Sequence, residues 1–283
     1  APSGLMKAGA YYPDGINDPT FTHVYGGDQL GNVWRLDMSQ TMLAYPSVTV
    51  GSPSVKLLAT LKDSAGRIQP ITARPAGTHI GTTRIYYVGT GRYLGNSDLS
   101  DPGAASGIAW QQSIYGIRDQ LDNPLFTPNA NFRNGNVVQQ TLTNVTGGRT
   151  ISKNPVNWAG QDGFFIDLNP GNTSPGERIF LDVRLILGTL IFTSNVPSAG
   201  GACVPGGNSF QYGLDYQTGG YVGNVSAVLA GINIGAFLVG AAIEQTADNQ
   251  IKALNKTITG QNVTTPVPLG AGFQGQRFGY RER

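Results

Sequence analysis

Cysteine is nearly missing from these 283 residues. Cys203 stands alone, so no disulfide framework can form within the chain. Its neighbours Gly201, Ala202, Val204 and Pro205 include no histidine to activate a thiolate, and it reads as a small buried or half-buried residue. Charge is scarce too: 13% of residues are charged, the net charge is +2, and no dense Lys/Arg run occurs. That removes the electrostatic footprint of a nucleic-acid binder. Arg277, Arg281 and Arg283 form one small basic cluster, read as a solvated tail or a salt-bridged closing strand. Residues 225–243 carry no charge, but glycines, Ser226 and Asn233 interrupt them, so a glycine-broken pair of buried strands is expected rather than a membrane span. The two histidines, His23 and His79, lie far apart, no Gly-x-Ser-x-Gly elbow is present, and no carboxylate pair stands out, so an enzyme has little support. With no signal peptide and no initiator methionine ahead of Ala1, the chain reads as a processed product or a piece of something longer.

What is present is turn chemistry. Forty glycines and seventeen prolines point to many short strands, and the length suffices for one large all-β domain or two smaller ones. The polar surface falls to Asn, Gln, Ser and Thr, a balance that suits an extracellular protein better than a cytosolic enzyme. Val24-Tyr-Gly-Gly-Asp-Gln-Leu-Gly-Asn-Val-Trp-Arg-Leu-Asp37 predicts two strands around a glycine turn. Its second half recurs as Ser113-Ile-Tyr-Gly-Ile-Arg-Asp119 and Ser209-Phe-Gln-Tyr-Gly-Leu-Asp215. A strand of aromatics and aliphatics closed by aspartate is therefore a repeating unit. The marks at 37, 119 and 215 are spaced about twice the 40–50 residues of a propeller blade. Each interval holds two degenerate blades or one blade with a large loop.

Residues 1–23 read as irregular and 24–283 as one propeller-derived β domain. Strands are expected at 55–62, 84–88 and 189–193. Gly163–Leu168 and Arg178–Val183 are expected to pair across the turn Asn169-Pro-Gly-Asn172, and 236–245 with 250–259 over 246–249. Residues 95–108 and 120–157 read as loops, the second as an exposed insertion; both are candidate recognition surface, because loops on rigid scaffolds carry most binding function. Gly89-Thr-Gly-Arg-Tyr-Leu-Gly95 lacks the lysine of a phosphate loop and is a hairpin turn. Tyr11, Tyr12, Tyr25, Trp34, Tyr86, Tyr87, Trp110, Tyr115 and Trp158 fall mostly on strands, which favours packing over a ligand-stacking face.

The repeat resembles quinoprotein-like propellers, and more specifically the C-terminal domain of the PilC/PilY family of type IV pilus biogenesis and tip-adhesin proteins. The stretches that carry the likeness, in order, are 24–37, Ile71-Thr-Ala-Arg-Pro75, 87–95, 112–119, 163–168, Gly176-Glu-Arg-Ile179, 187–197, Pro205-Gly-Gly-Asn-Ser-Phe210 and Gly275-Gln-Arg-Phe-Gly-Tyr-Arg-Glu282. The resemblance implies an all-β, modified or partial β-propeller with long loops on the outside of a Gram-negative-type bacterium, at a pilus tip or the outer surface. The implied partners are pilin or minor pilins and a host or abiotic surface. The family propeller is usually longer, so this chain matches its C-terminal part. A propeller short of blades exposes sheet edges, which leaves a second expectation: a structural subunit that self-assembles through those edges into a fibre or tube.

Relatives of this type often carry a calcium loop before the Tyr-Gly-Gly-Asp strand. The likeness assigns Asp14 and Asp18 as carboxylate ligands and Ile16 as a carbonyl ligand. Ala10 and Tyr12 stand where further ligands belong, and calcium wants six to eight oxygens, so the expectation is a degenerate turn with calcium as the one cofactor the pattern admits. A quinone-dependent dehydrogenase, the enzyme alternative for such a repeat, would need a chelating constellation that is not visible.

Overall fold

The structure, a computed structural model, describes residues 3–12, 21–38, 55–101, 109–198, 206–223, 229–246 and 250–269. These residues form β-strands and short 3-10 turns, arranged as four sheets that succeed one another as propeller blades. Blade 1 is an antiparallel meander of β1 (Ala8–Tyr11), β2 (His23–Gly27), β3 (Asn32–Asp37) and β4 (Val55–Thr60). Blade 2 contains β5 (Ala76–Ile80), β6 (Thr83–Gly89), β7 (Ser113–Arg118), β8 (Val137–Gln140) and β11 (Gly163–Asp167), in the order β5-β6-β7-β11-β8. Blade 3 contains β9 (Leu142–Val145), β10 (Gly148–Ile151), β12 (Arg184–Ile186), β13 (Thr189–Ser198), β14 (Gly206–Asp215) and β15 (Gly231–Asn233), ordered β12-β13-β14-β15-β10-β9. Blade 4 is β16 (Leu238–Gln245), β17 (Ile251–Thr257) and β18 (Asn262–Pro266). β1 of blade 1 and β12 of blade 3 each lie beside β5 of blade 2.

Local chemistry explains the strands. β6 reads Thr-Arg-Ile-Tyr-Tyr-Val-Gly, β-branched and aromatic, and its last five residues are buried between β5 and β7. The β2–β3 hairpin is closed by Asp28, whose carboxylate accepts the Leu30 amide at 2.9 Å and the Asn32 amide at 2.8 Å. Gly31 supplies the left-handed φ of 77° that this turn requires.

Packing between blades makes three cores. Tyr25, Val33, Leu58, Ile71, Tyr86 and Tyr115 fill the space between blades 1 and 2. Ile85, Ile114, Phe164, Ile179, Phe192 and Tyr212 fill that between blades 2 and 3. Ile191, Ile251, Ala253 and Val267 fill that between blades 3 and 4. One device recurs at the first two junctions. The strand leaving one blade ends in a crossover whose isoleucine lies over a glycine, Ile71 on Gly27 and Ile179 on Gly89. A Cβ at either glycine would overlap that isoleucine. The isoleucine amide then bonds the carbonyl just after the glycine, Ile71 to Asp28 at 3.0 Å and Ile179 to Thr90 at 2.9 Å.

Several expectations need correction. Residues 1–23 are not wholly irregular, because Ala8–Tyr11 pair with His23–Gly26. The interval 120–157 is no simple insertion: β8 lies parallel to β11, and β9 and β10 extend blade 3. Gly163–Asp167 pairs with β7 and β8 rather than with 178–183. The turn at Asn169–Asn172 does form, but buried Glu177 and Arg178 draw the following segment across to Asn195. Within 225–243, β15 joins blade 3 and β16 opens blade 4, where Val239 and Ala242 are exposed. The intervals between Asp37, Asp119 and Asp215 hold one blade each with long excursions, so the repeat marks blades 1, 2 and 3. The hairpin at the C-terminal side forms as expected from β16 and β17.

Candidate functional site

Among the described residues, buried ion pairs gather where blades meet. At the junction of blades 1 and 2, Asp119 follows β7 and its side chain is 0% exposed. It accepts Arg35 Nη1 at 2.8 Å, Arg84 Nε at 3.1 Å, the Leu121 amide at 2.9 Å and the Tyr25 hydroxyl. Arg35 also reaches Asp122 at 2.8 Å, and Arg84 pairs with Asp122. Burial by itself would raise the Asp119 pKa, but the Tyr25 hydroxyl, the Leu121 amide and Arg35 outweigh it and hold the carboxyl below its usual value. For Asp122 the same contest, burial against Arg84 and Arg35, ends at about 2. Tyr25 is pushed the other way by burial and by the Asp119 charge, so its hydroxyl stays a proton donor. Its ring stacks on Tyr86 with centroids 3.4 Å apart.

Two crossovers carry a matching polar residue. Gln69 bonds Ser113 Oγ at 2.9 Å, the Gln111 carbonyl at 2.7 Å and the Tyr115 hydroxyl. At the equivalent place in the next crossover, Glu177 accepts Tyr212 at 3.0 Å, the Asn169 amide at 3.0 Å, Ser194 and Arg149. Arg133 adds Asp167 and Ser113 at 2.7 Å, with its guanidinium 4.3 Å from the Phe165 ring centroid. Gln69, Glu177 and Arg149 are buried and partnered, the condition under which a buried polar or charged group is tolerated, while Asp167 is partly exposed.

These junctions hold loops in place. Asp98 accepts Arg92 Nε and the Leu94 amide, both at 2.8 Å. Asp101 accepts the Gly176 amide and Arg178 Nη2, both at 2.8 Å, and Ser174 Oγ at 3.1 Å. The described part of the 95–108 loop is thereby fixed to the blade 2–3 crossover, with Leu94 exposed at its start. On the 120–136 excursion, the Phe126 amide bonds the Asn123 carbonyl and the Leu125 amide bonds Asn123 Oδ1, both at 3.0 Å. This tight turn presents Leu125 at 88% exposure, more than any other large apolar side chain among the described residues. Just before β1, β5 and β12, Asp182 pairs with Lys7 at 2.7 Å and accepts the Arg74 amide at 3.1 Å. Among the described residues, β4, β9 and β18 have no strand beyond them, and Thr143, Asn144 and Val145 of β9 are exposed.

Asp14, Ile16 and Asp18 lie outside the described residues, as do Cys203 and the Arg277, Arg281 and Arg283 cluster. Among the described residues no three His, Cys, Asp or Glu side chains come close enough to hold a metal ion. His23 Nδ1 lies 2.8 Å from Thr22 Oγ1, while His79 projects from β5 in a different blade. Of the aromatics, Tyr25, Tyr86, Tyr87, Tyr115, Trp110 and Trp158 are packed inside, while Tyr12 is exposed. Sequence reasoning missed the buried ion pairs altogether. Their signal was an arginine in the middle of an otherwise apolar strand, as in Val33-Trp34-Arg35-Leu36. No helix among the described residues is long and apolar enough to cross a membrane.

What the geometry offers is rigid display of loops and edges. Comparison with known proteins gives that display a setting. The PilY1 beta-propeller domain matches residues 4–154. Type IV pilus biogenesis factor PilY1 of Pseudomonas aeruginosa strain PAO1 is 30% identical over 250 residues, covering 77% of this chain and 21% of that protein. A Type IV pilus biogenesis factor PilY1 homolog of Xylella fastidiosa is 29% identical over 213 residues, covering 74% of this chain and 15% of that protein. The chain thus spans about a fifth or less of these relatives. The crystal structure of the Pseudomonas aeruginosa PilY1 C-terminal domain superposes with a TM-score of 0.66 at 24% identity, over 93% of this chain and 61% of that one. The likeness fixes the fold as a propeller of that kind.

Proposed function

The chain belongs to the PilY1 β-propeller family, and on that premise we propose that it serves type IV pili as a non-enzymatic interaction domain on the outer cell surface. It would support pilus assembly and adhesion by holding loops rigidly and offering sheet edges to pilin or minor pilins. Family membership carries this reading. The loops pinned by Asp101 and Asn123 support it, because a docking surface that is already ordered loses less entropy on binding. The edges of β4, β9 and β18, unpaired by any strand among the described residues, suit strand addition by a partner.

Those same edges favour a second reading, a building block that adds copies edge to edge into a fibre or tube. Immunogold electron microscopy on native cells separates the two. Gold at the tips of thin pili, with pili lost from a strain lacking the gene, supports the pilus reading. Gold spaced regularly along a continuous fibre overturns it. Asp14, Ile16 and Asp18 would offer calcium two carboxylates and one carbonyl, short of the six to eight oxygens it takes. Calorimetric titration with calcium should show no binding tighter than about 1 mM, the weak end of known protein sites.

A further inference from the structure

Residues 119–162 leave blade 2 and come back to it by way of both neighbours. The segment sets out from the end of β7 and returns as β11, and those two strands pair with each other inside blade 2. On the way out it fastens to blade 1. Asp119 and Asp122 each accept Arg35 of β3 at 2.8 Å, and Arg133 Nε donates to the Lys62 carbonyl just past β4, also at 2.8 Å. It then runs along the rim of blade 2 as β8, parallel to β11. With only Thr141 between, the chain passes into blade 3 as β9 and β10. There Gly148 and Arg149 pair with Ile232 and Gly231 of β15, and the Arg149 guanidinium lies 3.9 Å from the Phe210 ring centroid. Two further side chains grip the turn after β14. Trp158 Nε1 donates to the Gln217 carbonyl and Gln140 Nε2 to the Thr218 carbonyl, both at 2.8 Å.

We infer that residues 119–162 are a tie that makes blades 1, 2 and 3 open as one unit, anchored in blade 2. In a plain stack of repeats each unit touches only its neighbours, and an end unit can open while the rest stay folded. The tie removes that freedom at both ends. Blade 1 cannot lift away without taking Arg35 from the buried Asp119 carboxylate, and a buried charge without its partner is costly. Blade 3 cannot open alone because its sheet is assembled from two stretches of chain, β9–β10 and β12–β15, with β11 of blade 2 between them in sequence. A segment that only covered sheet edges would need backbone pairing and nothing more. This one sends Arg133 to the blade 1 side and Gln140 and Trp158 to blade 3. It also carries the exposed Leu125 tip, so a pull on that tip is shared among three blades instead of peeling one.

The test is native-state hydrogen exchange of the 283-residue chain in rising urea, followed at the inner amides of β3, β7 and β14, one strand from each blade. The expected result is exchange of all three within about tenfold of one another and with one urea dependence, the mark of a shared opening. A blade that exchanges more than about tenfold faster than the other two, with a shallower urea dependence, overturns the inference. Gly148→Ala then asks whether the tie is the cause. A Cβ there stands 2.1 Å from the Gly231 carbonyl oxygen, so the substitution drives β10 off β15 and cuts the tie at blade 3 alone. β14 should now open ahead of β3 and β7 by about tenfold or more, while those two stay together. Equal acceleration of all three, the signature of a merely structural loss, overturns the inference, as does no change in their order. If Gly148→Ala fails to fold, Trp158→Phe keeps an aromatic ring and deletes the bond to Gln217; it should put β14 ahead by a smaller margin, and equal acceleration again overturns the tie.

Discussion

Removing the carboxylate of Asp119 tests whether the blade 1–2 junction is held as described. Asp119→Ala deletes a fully buried acceptor shared by Arg35, Arg84, Tyr25 and the Leu121 amide. Breaking a buried pair from one side costs about 3–5 kcal/mol, because the remaining charge stays buried without its partner. Arg35 keeps Asp122, whose side chain is 62% exposed, and that residual pair contributes little in water. The cost therefore belongs near the lower end, about 3 kcal/mol, a fall in Tm on the order of 10 °C for a chain of this size. Arg35→Met combined with Asp119→Leu should recover much of the loss, since an apolar pair of similar volume often replaces a buried ion pair without penalty. Urea unfolding of the two single variants and the double gives the coupling. A cost below about 1 kcal/mol for Asp119→Ala, or strict additivity of the pair, refutes the reasoning. The sign with pH also follows. The folded pKa values of Asp119 and Asp122 lie below the ordinary carboxylate value. Their contribution is thus complete above about pH 4 and is lost as pH falls through the folded values. Asp119→Ala should flatten that acid limb of the stability profile.

Gly89→Ala forces a methyl into Ile179 and should cost about 1–3 kcal/mol by overpacking; in chemical denaturation the double variant Gly89→Ala with Ile179→Ala should be less destabilised than the sum of the singles. Lys7→Ala removes a pair to Asp182 whose lysine is 49% exposed, so the loss should stay below about 1 kcal/mol and vanish in high salt. Leu125→Ser, at a tip exposed to 88%, should leave Tm unchanged within about 1 °C, as surface substitutions do, while lowering surface attachment of piliated cells. Unchanged attachment would remove that loop from the docking surface.

The propeller was legible because its signals are local. Aromatic strands stopped by glycine, and the aspartate-closed repeat at 37, 119 and 215, survive without any tertiary context. What failed were pairings between distant segments. The Asn169–Asn172 turn looked like a hairpin because turn residues report only on themselves; where Arg178 goes is decided by Asp101, 77 residues away in sequence. β8 was read as loop because a parallel partner needs a long connection, and nothing in Val137–Gln140 announces β11. The order of strands in blade 3 depends in the same way on β9 and β10 arriving from the preceding excursion. The ligand set at Asp14, Ile16 and Asp18 lies outside the described residues, so its legibility rests on resemblance alone.

The low charge content and the buried ion pairs belong to one argument. Apolar contacts are non-directional, and Ile71 on Gly27 or Ile179 on Gly89 would tolerate a blade slipped along its neighbour better than a hydrogen-bonded group would. A residue of slip in a strand exchanges its two faces. Gln69 and Glu177 forbid it, because each must meet a serine and a tyrosine on the next blade at once. A slipped blade would leave these groups buried and unpaired, at about 1–3 kcal/mol each and more for the carboxylate. We therefore read Gln69 and Glu177 as setting the register between blades, with the apolar cores that include Ile71 and Ile179 supplying the adhesion. At the blade 3–4 junction the polar task passes to neutral groups: Ser209 Oγ accepts the Leu238 amide at 2.9 Å, and Asn195 Nδ2 donates to the Leu238 carbonyl at 2.7 Å. Register there is fixed by amide and hydroxyl rather than by charge, so its contribution should be insensitive to pH across the range where the blade 1–2 junction weakens.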